Sequence, residues 1–331
     1  MRRFCSVLLA TAALAACDFA PTLDIDTPAF DDGLVLNTVL FADSTARVRV
    51  TRARDPYGAQ TTTTGYFGFE VEPGATVTLT LDGGPPEALA FVSQQCVQGY
   101  DYTTNEPVQV ECGFYASAAP VAGGSAYTLR AEAPGRPAVE ASVRVPARVP
   151  VAATREDGTP VDGQRTDRIT LRFRDPPGDA NSYGLDALLA VENTQFQYCD
   201  ERGCRDSTYT YRYVGQTSFT TVDPILLAGL RGIPGGSSFV TFTDRLFDGQ
   251  ERAFTIEARV YDTGPDGSST TRRSVRLIAF DRPLVEAYEQ AYFSLGEDNP
   301  FQEPFDPTSN VRGGYGLVGA AAITEVDLGD V

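Results

Sequence analysis

Cys17 offers the most distinctive chemistry in this chain. It closes the stretch Leu14-Ala15-Ala16-Cys17, where small residues fit a narrow peptidase cleft and the thiol can be alkylated by diacylglycerol. Cleavage before it frees an amine for another acyl chain. Each buried CH₂ contributes about 0.8 kcal/mol, so several chains together give a stable membrane anchor. The flanking residues agree. Arg2 and Arg3 form a positive n-region, and residues 4–16 (FCSVLLATAALAA) are an apolar run of signal-peptide length. Residues 1–16 are therefore expected to be a Sec-type signal peptide and Cys17 the lipid attachment site. The alternative is ordinary secretory cleavage with an incidental cysteine. Residues 18–32 (DFAPTLDIDTPAFDD) are acidic and aperiodic, so residues 17–32 read as a lipidated, acidic tether.

Four further cysteines, Cys96, Cys112, Cys199 and Cys204, follow the tether. In an exported chain an even number reads as disulfides. Three pairings can be drawn, and the sequence favours the local one. FQYCDERGCRDSTYTY looks like a hairpin with Cys199 and Cys204 flanking its turn. FVSQQC and VQVECGFY look like facing strands that bring Cys96 to Cys112. A four-thiolate zinc site lacks the paired CxxC spacing it needs.

Tyr209, Tyr211 and Tyr213 alternate in STYTYRYV, which puts three rings on one face of a strand. Exposed, such a row stacks on a sugar, peptide or partner; buried, it is core. Asp262 and Asp266 lie in YDTGPDGSS, a turn without the ligand series of a calcium loop. DRLFDG brings Asp244, Arg245 and Asp248 together, and an ion-paired turn is the expectation there.

What is missing is as informative. The chain has no His, no Lys and no Trp, and all its positive charge is Arg. Imidazole-assisted nucleophiles, imidazole metal ligands, Schiff bases and phosphate-cradling lysines are therefore excluded. Carboxylate chemistry, Tyr, Arg and oxygen-ligated metals survive. No cofactor or metal site is expected, and no enzyme. The formal net charge of −17 argues against nucleic-acid binding, because phosphates are repelled. It reads first as a property of the whole surface, suited to a salty medium.

The elements carrying these residues are overwhelmingly strands. LVLNTVL (34–40), ARVRVTR (46–52), YFGFEVE (66–72), ATVTLTL (75–81), AYTLRAE (126–132) and EASVRVP (140–146) have strand patterning or composition, punctuated by Gly, Pro, Asp and Asn. The fold class is all-β, with an immunoglobulin-like β-sandwich over residues 33–147. Tyr127 looks like the tyrosine that pins a corner of such sandwiches. VPARVPVAATREDGTPVDG (145–163) is the expected boundary, and residues 148–331 read as a second β-rich domain. Its strands include RITLRF, YGLDALLAV, TQFQYC, SSFVTFT, RAFTIEARVYD and TTRRSVRLIAF. One amphipathic helix is predicted near residues 283–295, capped by Asp281 and stopped by Gly296. DPILLAGL (223–230) is expected to add a helical turn, and LVGAAAITEVDL a terminal strand.

FVTFTDRLFDGQ (239–250), the helix, and NPFQEPFDPTSNVRGGYGLVGAAA (299–322) occur in that order. With the lipobox, GSAYTLRAEAPGRPAVEASVRVPARVPV and RITLRFRDPPGDANSYGLDALLAV, they make a pattern that resembles the domain of unknown function 4249 family. The resemblance implies a lipoprotein anchored at the outer membrane of Bacteroidota-type bacteria, on its periplasmic or its outer side, and often encoded beside a TonB-dependent receptor. It implies no catalytic residues. The expected function is a ligand-binding or accessory subunit of a TonB-dependent nutrient uptake system. The alternative is a structural or adhesion lipoprotein of the envelope without a small-molecule ligand. The glycines at 313, 314, 316 and 319 read as sites of close backbone approach before the last strand.

Overall fold

Leu34–Phe41 and Thr45–Arg52 form the antiparallel strands β1 and β2, and alternation decides which way they face. Ala46, Val48 and Val50 are buried while Arg47 and Arg49 are exposed. The computed structural model describes residues 32–53, 71–100, 104, 107–159, 165–178, 180–193, 196–200, 203–207, 211–229, 239–260, 269–294 and 309–330. They all fall in one of the two units into which the chain divides.

The chain continues through β3 (Thr76–Leu81), β4 (Pro86–Ala88), β5 (Ala90–Tyr100), β6 (Pro107–Pro120), β7 (Ala126–Glu132), β8 (Val139–Arg144) and β9 (Val151–Glu156). Next come β10 (Arg165–Arg174), β11 (Ser182–Asn193), β12 (Phe196–Asp200), β13 (Gly203–Ser207), β14 (Tyr211–Gln216) and β15 (Phe219–Thr220). Helix α1 (Pro224–Gly229), β16 (Phe239–Thr243), β17 (Glu251–Val260), β18 (Ser269–Phe280), helix α2 (Arg282–Ser294) and β19 (Val318–Asp330) complete it. The fold is all-β, as the alternation predicts. Neither helix is long and apolar enough to cross a membrane.

One nine-stranded sheet organises the rest, in the order β14-β11-β18-β19-β1-β2-β6-β5, with β16 also paired to β11. Strands from residues 33–147 and from residues 148–331 lie side by side in it. The seam between them is a parallel pairing of β1 with β19, Thr38 opposite Val318. Two four-stranded sheets, β4-β3-β7-β8 and β15-β17-β10-β9, supply the opposing layers. Strand β9 forms inside the proline-rich stretch expected as a boundary and pairs with β10. A single apolar cluster joins all three sheets, from Leu36, Val50 and Leu129 to Leu185, Phe254 and Leu277. Tyr127 pins its corner: its hydroxyl accepts the Ala122 N–H at 2.8 Å, and its ring is buried.

Ion pairs also bridge the layers. Arg273 of β18 is fully buried. It donates to the carbonyls of Ala258 (3.1 Å) and Arg259 (2.8 Å) on β17 and lies 3.6 Å from Asp167 on β10. Burial pulls its guanidinium below the usual value, with Asp167 opposing.

The residues before β19 explain the glycine-rich ending. Leu36 N–H donates to Tyr315 O (2.9 Å) and Tyr315 N–H to Leu34 O (3.0 Å), so the chain runs against β1 before β19 begins. Asn310 holds Val318 by both its amide atoms, at 2.7 and 2.9 Å. At Gly316, φ is +114°, and a Cβ would lie 2.3 Å from Leu36 O. A Cβ on Gly314 would lie 2.4 Å from Leu34 O. These glycines serve backbone packing. Gly319 serves the helix instead, since a Cβ there would lie 2.9 Å from Leu284 Cβ on α2. Asp281 starts α2, its Oδ1 accepting Leu284 N–H at 3.3 Å and its own N–H reaching Ala320 O at 2.9 Å. Gly319 stands beside Val39 in the register. Helix α2 therefore covers the Val39 face of the sheet over β19. Among the described residues, no helix covers β1, β2, β6 and β5 on that face.

Two outcomes follow from this packing. Gly316→Ala combines a positive φ with a backbone clash and is expected to cost about 2–4 kcal/mol in a denaturant melt. A loss within error would separate β1–β19 closure from the glycine. Burial raises the Asp281 carboxyl to about 6, against hydrogen bonds that lower it. A carboxyl raised in the fold keeps its proton there. Its contribution is full below the unfolded value of 3.8 and is lost as pH rises through about 6. Asp281→Asn retains the capping oxygen without the charge. It is expected to be more stable than wild type by about 1–3 kcal/mol at pH 7.5 and equal to it near pH 3.5. Parallel pH profiles for the two proteins would show that Asp281 is solvated.

Candidate functional site

A cleft of about 560 Å³ opens on the uncovered face of the large sheet. Its floor is Asn37, Thr38 and Val39 of β1 with Arg47, Arg49 and Thr51 of β2. Gln94 of β5, Phe114 of β6 and Leu317 form its walls. Residues two apart on a strand share a face, so ARVRVT places Arg47, Arg49 and Thr51 in one row. Asn37 stands opposite Arg49 in the register.

Contacts among the lining residues, and a disulfide beside them, fix the floor and walls. The Arg47 guanidinium lies 5.2 Å from the Phe114 ring centroid, a cation–π contact that orients it. Thr38 Oγ1 donates to Arg47 O at 2.8 Å, tying the two floor strands. Leu317 N–H donates to Asn37 Oδ1 at 2.9 Å, which fixes the Asn37 amide. Cys96 and Cys112 form a disulfide across β5 and β6, with Cα atoms 5.7 Å apart. Gln94 Nε2 sits 3.4 Å from Cys112 Sγ. Closing a loop of this length contributes about 3 kcal/mol, and it steadies the hairpin that carries Gln94 and Phe114. Behind the cleft Tyr115 is buried and donates to Glu72 O at 2.6 Å, and burial raises its phenol. Among the described residues, the lining brings together two guanidiniums, two amides, two hydroxyls and an aromatic ring.

A second constellation is the LFDG turn. Carboxylate oxygens of Asp175, Asp244 and Asp248 lie within 4.8 Å of one another. Three hard oxygens suit calcium in principle, but these are already engaged. Asp175 accepts Tyr183 OH at 2.5 Å and Gly249 N–H at 2.8 Å. Asp244 accepts Asn181 N–H at 2.8 Å, and Asp248 accepts Gly178 N–H at 2.9 Å. Phe247 is buried among Phe173, Phe242 and Phe254. Burial and the Asp175 hydrogen bond both raise the Tyr183 phenol. The turn is a latch between β10–β11 and β16–β17. Asp244 and Asp248 do meet, as the sequence indicates. Their company is Asp175, and no ion pair to Arg245 forms among the described residues.

The other sequence candidates are distributed as follows. Cys17 and Tyr209 lie outside the described residues, as do Asp262 and Asp266. Tyr211 and Tyr213 stand on β14 opposite Asn193 and Val191 of β11, and their side chains lie outside the described set. Cys204 is disulfide-bonded, and Cys199 faces it across the β12–β13 hairpin. Sequence reasoning did not single out Arg47, Arg49, Gln94, Phe114 or Asp175. The signal for the first two was present: a pair of arginines on the exposed face of ARVRV in an acidic chain.

The family model described as Domain of unknown function (DUF4249) matches residues 21–327, and the chain belongs to that family. No curated protein matches it.

The latch reading is tested by Asp175→Ala. It leaves the Tyr183 hydroxyl and the Gly249 N–H without their acceptor and is expected to cost about 2–4 kcal/mol. EDTA is expected to leave the wild-type melting temperature unchanged. A drop on chelation would assign the three carboxylates to an ion.

Proposed function

We propose that this member of the family is an envelope lipoprotein, held at the outer membrane through acylated Cys17. It serves as a ligand-binding or accessory subunit of a TonB-dependent uptake system. The observation that carries this reading is the open cleft on the sheet face. Its lining is built for recognition and holds neither a nucleophile nor a paired acid and base. The lipobox and the acidic tether support attachment at one end. The net charge of −17 argues against a nucleic-acid partner, because phosphates are repelled.

Two measurements test the proposal. Mass spectrometry of protein from native membranes should find an acylated N-terminal peptide beginning at Cys17. Cys17→Ser should move the protein from the membrane to the soluble fraction. Gentle crosslinking in native membranes should recover a TonB-dependent transporter. Acylation without any transporter would leave a structural or adhesion lipoprotein. An unmodified Cys17 would remove the anchor itself.

A further inference from the structure

The geometry points to a ligand class for the cleft: a hydroxylated carboxylate of the sugar-acid type, gripped by Arg47. This inference rests on reading the chain as a binding module, and it goes further by naming what is bound.

Charge is the first argument. The chain carries a formal net charge of −17, yet two guanidiniums stand side by side on one strand face. Arg47 pairs with no carboxylate among the described residues. It rests on Phe114 instead, which holds the planar group and leaves its N–H edges for a ligand. A guanidinium edge matches a carboxylate by two parallel hydrogen bonds.

The second argument is the company these cations keep. Asn37, Thr51 and Gln94 bring amide and hydroxyl groups of both polarities within the same lining. Such a set suits the hydroxyls of a sugar ring. Phe114, Val39 and Leu317 add apolar surface for its C–H face. At about 560 Å³ the cleft has the size of a small-molecule site and takes a short oligomer.

The third argument removes competitors. β1 lies between β19 and β2, and β2 between β1 and β6, so the floor strands have hydrogen-bonding neighbours on both sides. A peptide therefore cannot add to the floor strands as an extra strand. A phosphate site is commonly built on backbone N–H groups at a helix start or glycine-rich nest. No helix contributes to this lining.

The test is calorimetric titration of the full chain, extracted from membranes in detergent with no transporter present. The probes are trigalacturonate, the neutral trisaccharide galactotriose, and sodium sulfate. Saturable binding is expected for trigalacturonate only, weakening several-fold as salt rises from low to moderate concentration. Arg47→Gln is expected to reduce affinity at least about tenfold, the scale of a lost charge-assisted pair. Phe114→Leu should weaken binding less, and Arg144→Gln, at an exposed position of β8, should leave it unchanged. Thermal melts confirm that each variant folds. The assignment is overturned by absence of saturable trigalacturonate binding, by equal binding of galactotriose, by equal binding of sulfate, or by an unaffected Arg47→Gln. None of these outcomes touches the acylation or crosslinking results, so failure of the ligand class is separable from failure of the lipoprotein reading.

Discussion

The parallel pairing of β1 with β19 is the constraint on which this architecture rests. It joins Thr38 to Val318, almost the full length of the described chain. Without it the nine-stranded sheet falls into two pieces, each with an open edge. The pairing needs the backbone before β19 to come within van der Waals distance of β1. Gly314 and Gly316 make that approach sterically allowed. The inner side of β1 supplies Leu34, Leu36 and Leu40 to the core, and its outer side supplies Asn37 and Val39 to the cleft. One strand thus couples stability to the candidate site. Closing so long a loop is entropically costly, so the seam belongs to the late, non-local part of folding.

Arginine as the sole cation shapes the interior as much as the surface. Arg273 is buried because its planar fork satisfies two carbonyls while facing Asp167. Arg276 pairs with Asp186, whose carboxyl burial pushes upward while Arg276 draws it down. A lysine could not meet this geometry with one compact ammonium. The same side chain lines the cleft at Arg47, where an aromatic ring takes the place of a carboxylate. Arg273 and Arg276 are matched internally, whereas Arg47 lies on the outer face of the sheet over Phe114.

The most distinctive sequence signatures turn out to be scaffold. LFDG is a latch of carboxylates and backbone N–H groups over an aromatic cluster. GGYG is the close approach to β1, and the following GAAA gives α2 a shallow seat at Gly319. The cleft is composed of ordinary strand residues whose combination matters only once β1, β2, β5 and β6 are adjacent. A search for function by motif alone therefore leads to the framework and passes over the surface it presents.

Local physics made much of this legible beforehand. A period of two reads directly as strand, so β1, β2, β7, β10 and β18 emerge from alternation alone. The helix at 282–294 follows from its apolar spacing and its Asp281 cap, and the Cys96–Cys112 bridge follows from two strands facing across a turn. The chemistry excluded by the absence of His and Lys needed no coordinates. Sheet order did not follow, because a strand's pattern states which face is buried and not which strand lies beside it. Strand β9 was hidden in a proline-rich stretch, since its pairing with β10 outweighs a weak local preference. Asp175 joined Asp244 and Asp248, and Phe114 came under Arg47, only through contacts distant in sequence. Burial and hydrogen-bond partners at such points are set by the packed whole, which is why the cleft belongs to the tertiary structure and the strands that line it to the sequence.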